Sequence, residues 1–247
     1  IEKIASHLPK KRQTLMFSAT MPPKIREMSK ALLNNPEQIS FEISKPAEGV
    51  LQAVYLVHDH QKIDLLTKLI EDKPNYESII IFSSTKKNVT NIVYALKRKK
   101  LNAEGISSDY DQDQRESILA SFKQKKTRII VATDVLSRGI DIKDINLVVN
   151  YDVPKNAEDY VHRVGRTARA KTTGVAITLI NEKDMANFSQ IEQLIEMDIM
   201  KLPPPPELGE GPEWRVSRRG GGSGKKKYFK KKGKRKNYSK NKGKKNG

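Results

Sequence analysis

Cysteine is absent from the 247 residues, which excludes disulfides, thiolate nucleophiles and zinc-thiolate sites. No run of 18 apolar residues exists to span a membrane, so a soluble, cytoplasmic protein is expected. No stretch follows the Gly-x-x-x-x-Gly-Lys-Ser/Thr pattern that cradles a β-phosphate, and no paired carboxylates precede Ser18 to hold magnesium. Acidic residues are missing from 215–247, which hold sixteen Lys or Arg. The formal charge of +18 therefore falls to 31 minus 29, or +2, over the first 214 residues. The 36% hydrophobic content can bury a core in part of the chain only, and a tail must account for the rest.

Against these absences stands the stretch 162–169, reading His162, Arg163, Val164, Gly165, Arg166, Thr167, Ala168, Arg169. Guanidinium groups stay charged at neutral pH and fork two hydrogen bonds onto phosphate oxygens. Arginines three apart on one helical face therefore suit a polyphosphate. Taken alone, the stretch reads equally well as a basic helix end solvated by water. His162 has no second histidine or carboxylate at ligand spacing, so no metal is implied there.

Strand and helix patterns alternate along the chain. Residues 13–17 predict a short buried strand, and Pro22 and Pro23 suit the first turn of a helix running to about residue 33, with Ser18 and Thr20 able to cap it. Residues 44–50, polar with one Pro and one Gly, suit a linker. Beyond it, strands are expected over 53–57, 78–82, 128–133, 147–149 and 174–180, the last closing the sheet. Helices are expected over 61–71 and 86–99, near Gln112 with Ile118, Leu119 and Phe122 inward, around Tyr160, and from about 183 to 200. Continuous apolar runs in the strands predict an α/β fold with a parallel sheet covered by helices on both faces. Ser83, Ser84 and Thr85, at a strand's carboxyl end, either face a ligand crevice or cap the next helix. Gln112 and Arg115 read from spacing as a surface polar pair or as a functional one.

Taken in order, these features resemble a known set. Ser18-Ala19-Thr20 resembles motif III of the DEAD-box ATP-dependent RNA helicases of superfamily 2, and the strand ending in Ser83-Ser84-Thr85 resembles motif IV. Gln112-x-x-Arg115 is similar to that family's Gln-x-x-Arg element. Thr133, Asp134 and the run Arg138, Gly139, Ile140, Asp141 resemble motif V, and 162–169 resembles motif VI. Ala168 replaces the usual glycine, and Ser107 and Ser108 stand where many relatives have His-Gly. The tail suggests the bacterial RhlE-like branch.

The resemblance implies a RecA-like helicase C-terminal domain over 51–201. It is preceded by a remnant of the N-terminal RecA-like domain over 1–43 and a linker over 44–50, and followed by a spacer and disordered tail over 202–247. It implies that Arg166 and Arg169 are arginine fingers stabilising the γ-phosphoryl group in transfer, with His162 linking that site to Ser18, Ala19 and Thr20, which couple the two domains. Asp141, Arg138 and Gly139 would border the nucleotide, and Thr133, Arg115, Gln112 and Ser84 would contact RNA. ATP and Mg2+ are the implied cofactors, the magnesium ligands belonging to upstream motifs that these residues lack. The chain resembles a fragment.

Four prolines, Pro203 to Pro206, read as a stiff spacer, and the glycine-rich 220–224 as a flexible one. From Lys225 a basic low-complexity tail interleaved with Tyr228, Phe229 and Tyr238 is too charged to fold alone. Such a tail binds phosphate backbones by releasing counterions and stacks aromatics on unpaired bases, so RNA is the expected partner, read without sequence specificity. A solubility tail or an anionic-membrane patch competes with that reading, and the tail leaves room for contacts with ribonucleoproteins or degradation machinery. The function expected is unwinding of short RNA duplexes or remodelling of RNA-protein complexes. This chain would supply the arginine-finger and RNA-binding half and barely turn over ATP alone. The alternative is a non-catalytic RNA-binding or annealing protein acting through the tail.

Overall fold

A computed structural model describes residues 1–18, 21, 23–39, 49–134, 145–167 and 174–215. The chain divides into units over 1–216 and 217–247, and all described residues belong to the first. The expected linker falls mostly on 40–48 and the basic tail beyond 215, both outside the described residues.

Two helices, α1 (Glu2–Ala5) and α2 (Pro23–Leu32), precede the sheet. The alternating part follows as β1 (Val50–Leu56), α3 (Lys62–Glu71), β2 (Ile79–Phe82), α4 (Lys86–Arg98), β3 (Ala103–Ile106), α5 (Gln112–Lys123) and β4 (Ile129–Ala132). It continues as β5 (Leu147–Asn150), α6 (Ala157–Val164), β6 (Gly174–Ile180), α7 (Met185–Ile195) and β7 (Met200–Leu202). The strands pair in parallel in the order β3-β4-β2-β5-β6-β1-β7.

Strands β2, β4 and β5 are buried at every position, as apolar runs in the middle of a parallel sheet require. On one face Leu65, Leu66 and Ile70 of α3 join Val89, Ile92 and Leu96 of α4 against Ile79, Ile81 and Val149. The alternate strand residues face the other way: Ile80 and Ile130 meet Phe122 of α5, while Val54 and Ala176 meet Tyr160 of α6 and Phe188 of α7. Helices thus cover both faces, as expected. Local chemistry sets where they start. Thr85 accepts from the Asn88 amide at 3.1 Å to cap α4, Asp111 and Gln114 form a reciprocal capping box on α5, and Asn156 accepts from the Asp159 amide at 2.8 Å on α6.

Several expectations are corrected. Residues 13–17 form no strand, and Leu15 and Phe17 are 69% and 90% exposed, because an apolar run is buried only where neighbouring strands flank it and none pairs with it among the described residues. Strand β6 does not close the sheet: it lies between β5 and β1. Helix α7 stops at Ile195, where Glu196 adopts a left-handed φ of 52°, and the segment expected to continue the helix instead supplies β7 beside β1.

The spacer expected from residue 202 is, up to 215, a strap packed on the domain. The Gln61 side-chain amide donates to the Leu208 and Glu210 carbonyls at 2.8 and 3.0 Å, Glu207 pairs with Lys68 at 2.6 Å, and Trp214 meets the Phe188 ring edge-on. At Gly211 an added Cβ would lie 2.1 Å from the Leu56 carbonyl oxygen, so only glycine lets the strap approach β1 this closely.

Candidate functional site

Because every strand runs the same way, all the strand carboxyl ends open on one edge. There the residues following β1, β2, β5 and β6 surround a polar hollow of about 470 Å³ that includes Asp59, Lys62, Ser84, Asp152, Asn181 and Asp184. A crevice at strand carboxyl ends is where α/β sheets bind ligands.

Lys62, on the first turn of α3, is 2% exposed. Its ammonium lies 3.6 Å from Asp59 Oδ1, 3.7 Å from Asp152 Oδ1 and 3.9 Å from Asp184 Oδ2, with the Tyr151 ring centre 5.5 Å away. A buried ammonium needs such partners, since desolvation alone would expel it or strip its proton. The carboxylates differ in consequence. A hydrogen bond from the Asn181 side chain, with the charge of Lys62, outweighs the cost of burial and holds Asp59 below the ordinary carboxylate value. Burial outweighs Lys62 at Asp184 and raises it. Burial and the surrounding carboxylates push the Tyr151 hydroxyl up to about 12, leaving it a neutral donor.

Asp152 connects this hollow to the rest of the edge. Its Oδ2 accepts from the Ser83 hydroxyl at 2.7 Å, the Ser84 amide at 2.8 Å and the Asn88 side chain at 3.4 Å. Its backbone carbonyl accepts from Arg163 at 3.0 Å. Arg163 is fully buried: its Nε and a terminal nitrogen meet Asp134 Oδ1 at 2.8 and 2.6 Å, another reaches Asn150 Oδ1 at 3.2 Å, and its guanidinium lies 5.1 Å from the Phe82 ring centre. One guanidinium thus braces the ends of β2, β4 and β5 to α6. Below it the buried Thr167 hydroxyl donates to the Ile145 carbonyl at 2.5 Å, and a Cβ on Gly174 would fall 2.1 Å from the Thr167 carbonyl oxygen. The end of 162–167 is therefore seated against the start of β6 with no room for a side chain.

Arg163 and Arg166 do not share one helical face, and Arg169 lies outside the described residues. Helix α6 ends at Val164, Arg163 turns inward, and Arg166 lies past the helix, half-buried, its amide bonded to the Arg163 carbonyl at 3.2 Å. His162 is exposed on the last helical turn. Ser84 lines the hollow, exposed, while Thr85 caps α4 and Ser83 binds Asp152, so capping and crevice readings divide among the three hydroxyls. Thr133 follows β4 half-buried, its amide 3.3 Å from the Ile106 carbonyl. Gln112 is exposed and donates to Glu116 on its own helix at 2.7 Å, whereas the Arg115 Nε is buried without a hydrogen-bond partner. Ser18 is exposed. Ala19, Thr20, Arg138, Gly139, Asp141 and Arg169 lie outside the described residues.

Lys62 and Asp152 were not singled out from sequence, and Arg163 was read there with Arg166 and Arg169 as facing phosphate, not as buried. A signal existed for Arg163: it sits three residues after Tyr160 and one before Val164, both on the buried stripe of α6. Lys62 and Asp152 carried none, because a charge at the mouth of a strand reads as solvated.

Among the described residues no group of three or more His, Asp or Glu could hold a metal ion, and no helix is long and apolar enough to cross a membrane.

The helicase conserved C-terminal domain family matches residues 61–171. The DEAD-box ATP-dependent RNA helicase CshA of Geobacillus kaustophilus (strain HTA426) is 40% identical over 206 residues, covering 83% of this chain and 44% of the relative. The chain belongs to the DEAD-box helicase family. CshA of Bacillus subtilis (strain 168) is also 40% identical, over 214 residues, 85% of this chain and 43% of that helicase. Among solved structures, a DEAD box protein from the hyperthermophile Methanococcus jannaschii matches with a TM-score of 0.60 at 36% identity. S. cerevisiae Dbp5 bound to RNA and ADP BeF3 matches with a TM-score of 0.71 at 27% identity. Each covers 81% of this chain and 54% of the other. The chain spans about 44% of the length of the curated helicases it matches. These bacterial relatives carry the name CshA, and the RhlE-like placement finds no support among them.

Proposed function

We propose that this chain supplies the C-terminal half of an ATP-dependent RNA helicase, reading phosphate with Arg166 and Arg169 and RNA with Ser84, Thr133 and Arg115. The observation that carries the proposal is the Arg163 brace. Asp134, Asn150 and the Asp152 carbonyl consume that guanidinium inside the scaffold, which narrows the phosphate-reading role in 162–169 to the other two arginines. The donor set fits ATP: a half-buried arginine follows α6 beside an exposed imidazole. Bound ATP supplies the phosphoryl group whose transfer to water resets the enzyme. Arg166 and Arg169 hold charge against the γ-phosphoryl oxygens, and His162 hydrogen-bonds toward the Ser18-Ala19-Thr20 segment to couple the two halves. Asp141, Arg138 and Gly139 border the nucleotide. The buried, unpartnered Nε of Arg115 is the kind of orphan donor that a phosphate oxygen or a domain contact satisfies. The proposed product is an RNA strand released from a short duplex, or a remodelled RNA-protein complex, with the basic tail holding RNA nearby.

The test is RNA-stimulated ATP hydrolysis by this chain joined to an N-terminal helicase half. Hydrolysis is expected only with RNA, and Arg166→Ala is expected to lower it by ~10³ or more. If the joined protein and the variant are equally inert yet bind RNA, and deletion of 216–247 abolishes that binding, the chain is a binding module acting through its tail and the helicase reading fails.

A further inference from the structure

At the amino edge of the sheet, opposite the crevice, two helix-to-strand turns lie side by side. Helix α4 runs out through Lys97, Arg98, Lys99 and Lys100 into β3, and α5 runs out through Lys123, Lys125, Lys126 and Arg128 into β4. The strands pair with Ala103 opposite Ile129, and the Asn102 side-chain amide donates to the Lys126 carbonyl at 2.5 Å, fastening one turn to the other. Lys100 and Lys125 both occupy left-handed φ of 59°, the geometry by which each helix ends.

Three of these eight cations are already engaged. Lys97 pairs with Glu104 at 3.0 Å, Lys125 pairs with Glu77, and Arg128 donates to the Tyr76, Ile70 and Lys73 carbonyls at 2.8, 3.3 and 2.6 Å. The other five, Arg98, Lys99, Lys100, Lys123 and Lys126, are exposed and make no ion pair among the described residues. Cations do favour helix carboxyl ends, but two macrodipoles amount to roughly one negative charge and leave most of five positive charges uncompensated. Beside them Tyr94 is 65% exposed on α4, with the Arg98 guanidinium 5.9 Å from its ring centre. Folding gains little from that arrangement, whereas a polyanion with unpaired bases gains more: five cations for its phosphates and a ring on which a base can stack.

We infer that this pole is a second RNA-binding surface, holding phosphate backbone without sequence specificity while the opposite edge works on the strand. The inference rests on the reading that the chain acts on RNA. An anionic membrane offers the same charge, but the pole presents a ring-and-guanidinium pair and no exposed aliphatic residue to insert, so RNA is the occupant.

The test uses the full chain and a 20-nucleotide single-stranded RNA, and reads amine labelling of each lysine by mass spectrometry. Lys99, Lys100, Lys123 and Lys126 are expected to lose reactivity severalfold on saturation with RNA, while Lys201, held by Glu192 and Asp198, does not change. The variant K99Q/K100Q/K123Q/K126Q keeps the tail and is expected to lower the slope of log affinity against log salt by about 3 in magnitude, the share of four phosphate contacts on a single strand. RNA that binds but protects only tail lysines, with an unchanged slope in the variant, overturns the second surface and leaves the helicase reading intact. Failure of the chain to bind RNA at all overturns both. Protection of the four lysines by vesicles of anionic lipid and not by RNA assigns the pole to a membrane and sinks the inference.

Discussion

At the carboxyl edge of the sheet Lys62 is 2% exposed and Arg163 is fully buried, and carboxylates hold each of them. At the amino edge Lys99, Lys100, Lys123 and Lys126 are exposed and no carboxylate pairs with them. The two edges use the same residue types for different ends. A charge taken out of water costs several kcal/mol and is tolerated only where fixed partners return most of it, so the buried cations make the edge rigid. A charge left in water costs almost nothing and contributes little to stability, so the exposed ones are free to set affinity for a polyanion.

The contrast can be broken by substitution. Arg163→Met, matched in volume, removes the guanidinium that Asp134, Asn150 Oδ1 and the Asp152 carbonyl share and is expected to cost about 3 kcal/mol in urea unfolding. That is the low end for breaking a buried pair, because Asp134 is 36% exposed. A cost under about 1 kcal/mol would show that the brace does not carry the edge.

A smaller effect of opposite sign is expected at Asp184. Its folded-state pKa lies above 3.8, so the folded protein holds this proton more tightly than the unfolded chain. The stability it contributes is full below pH 3.8 and is lost as pH rises through the folded value. Asp184→Asn removes that loss. The variant is expected to be more stable than the parent at pH 7, with the advantage fading as acid protonates the parent. A variant less stable at pH 7 would mean that the pairing with Lys62 outweighs burial.

Smallest of all, the quadruple Lys→Gln variant at the amino edge is expected to unfold within about 0.5 kcal/mol of the parent, the ordinary range for surface sites. A larger loss would make those lysines part of the scaffold.

Strands β2, β4, β5 and β6 were legible because their apolar runs report burial on both faces, β1 because its carboxyl half is apolar, and α4 and α5 because periodicity and capping residues agree. Strand β3 was not legible, since Glu104 and Gly105 interrupt it, and neither was β7, whose three residues cannot show a pattern. Residues 13–17 show the converse: the same kind of apolar run as β2, exposed because nothing among the described residues flanks it. At the candidate site Ser84 was readable from its place after β2. The division among three hydroxyls was not, because it depends on Asp152, which is 68 residues from Ser84.

What the sequence determined by itself was the element types, the parallel α/β class and the ordered motifs that identify the family, because apolar periodicity, capping and motif spacing are properties of contiguous residues. What only the tertiary structure decided was the fate of the charges: Arg163 turned inward, Lys62 enclosed by carboxylates from three segments, and Lys99, Lys100, Lys123 and Lys126 brought side by side with no ion pair among the described residues. That depends on β2 lying between β4 and β5 and on β3 lying against β4. Such adjacencies close loops of tens of residues, and whether a charge is paired or bare follows from which loop ends meet.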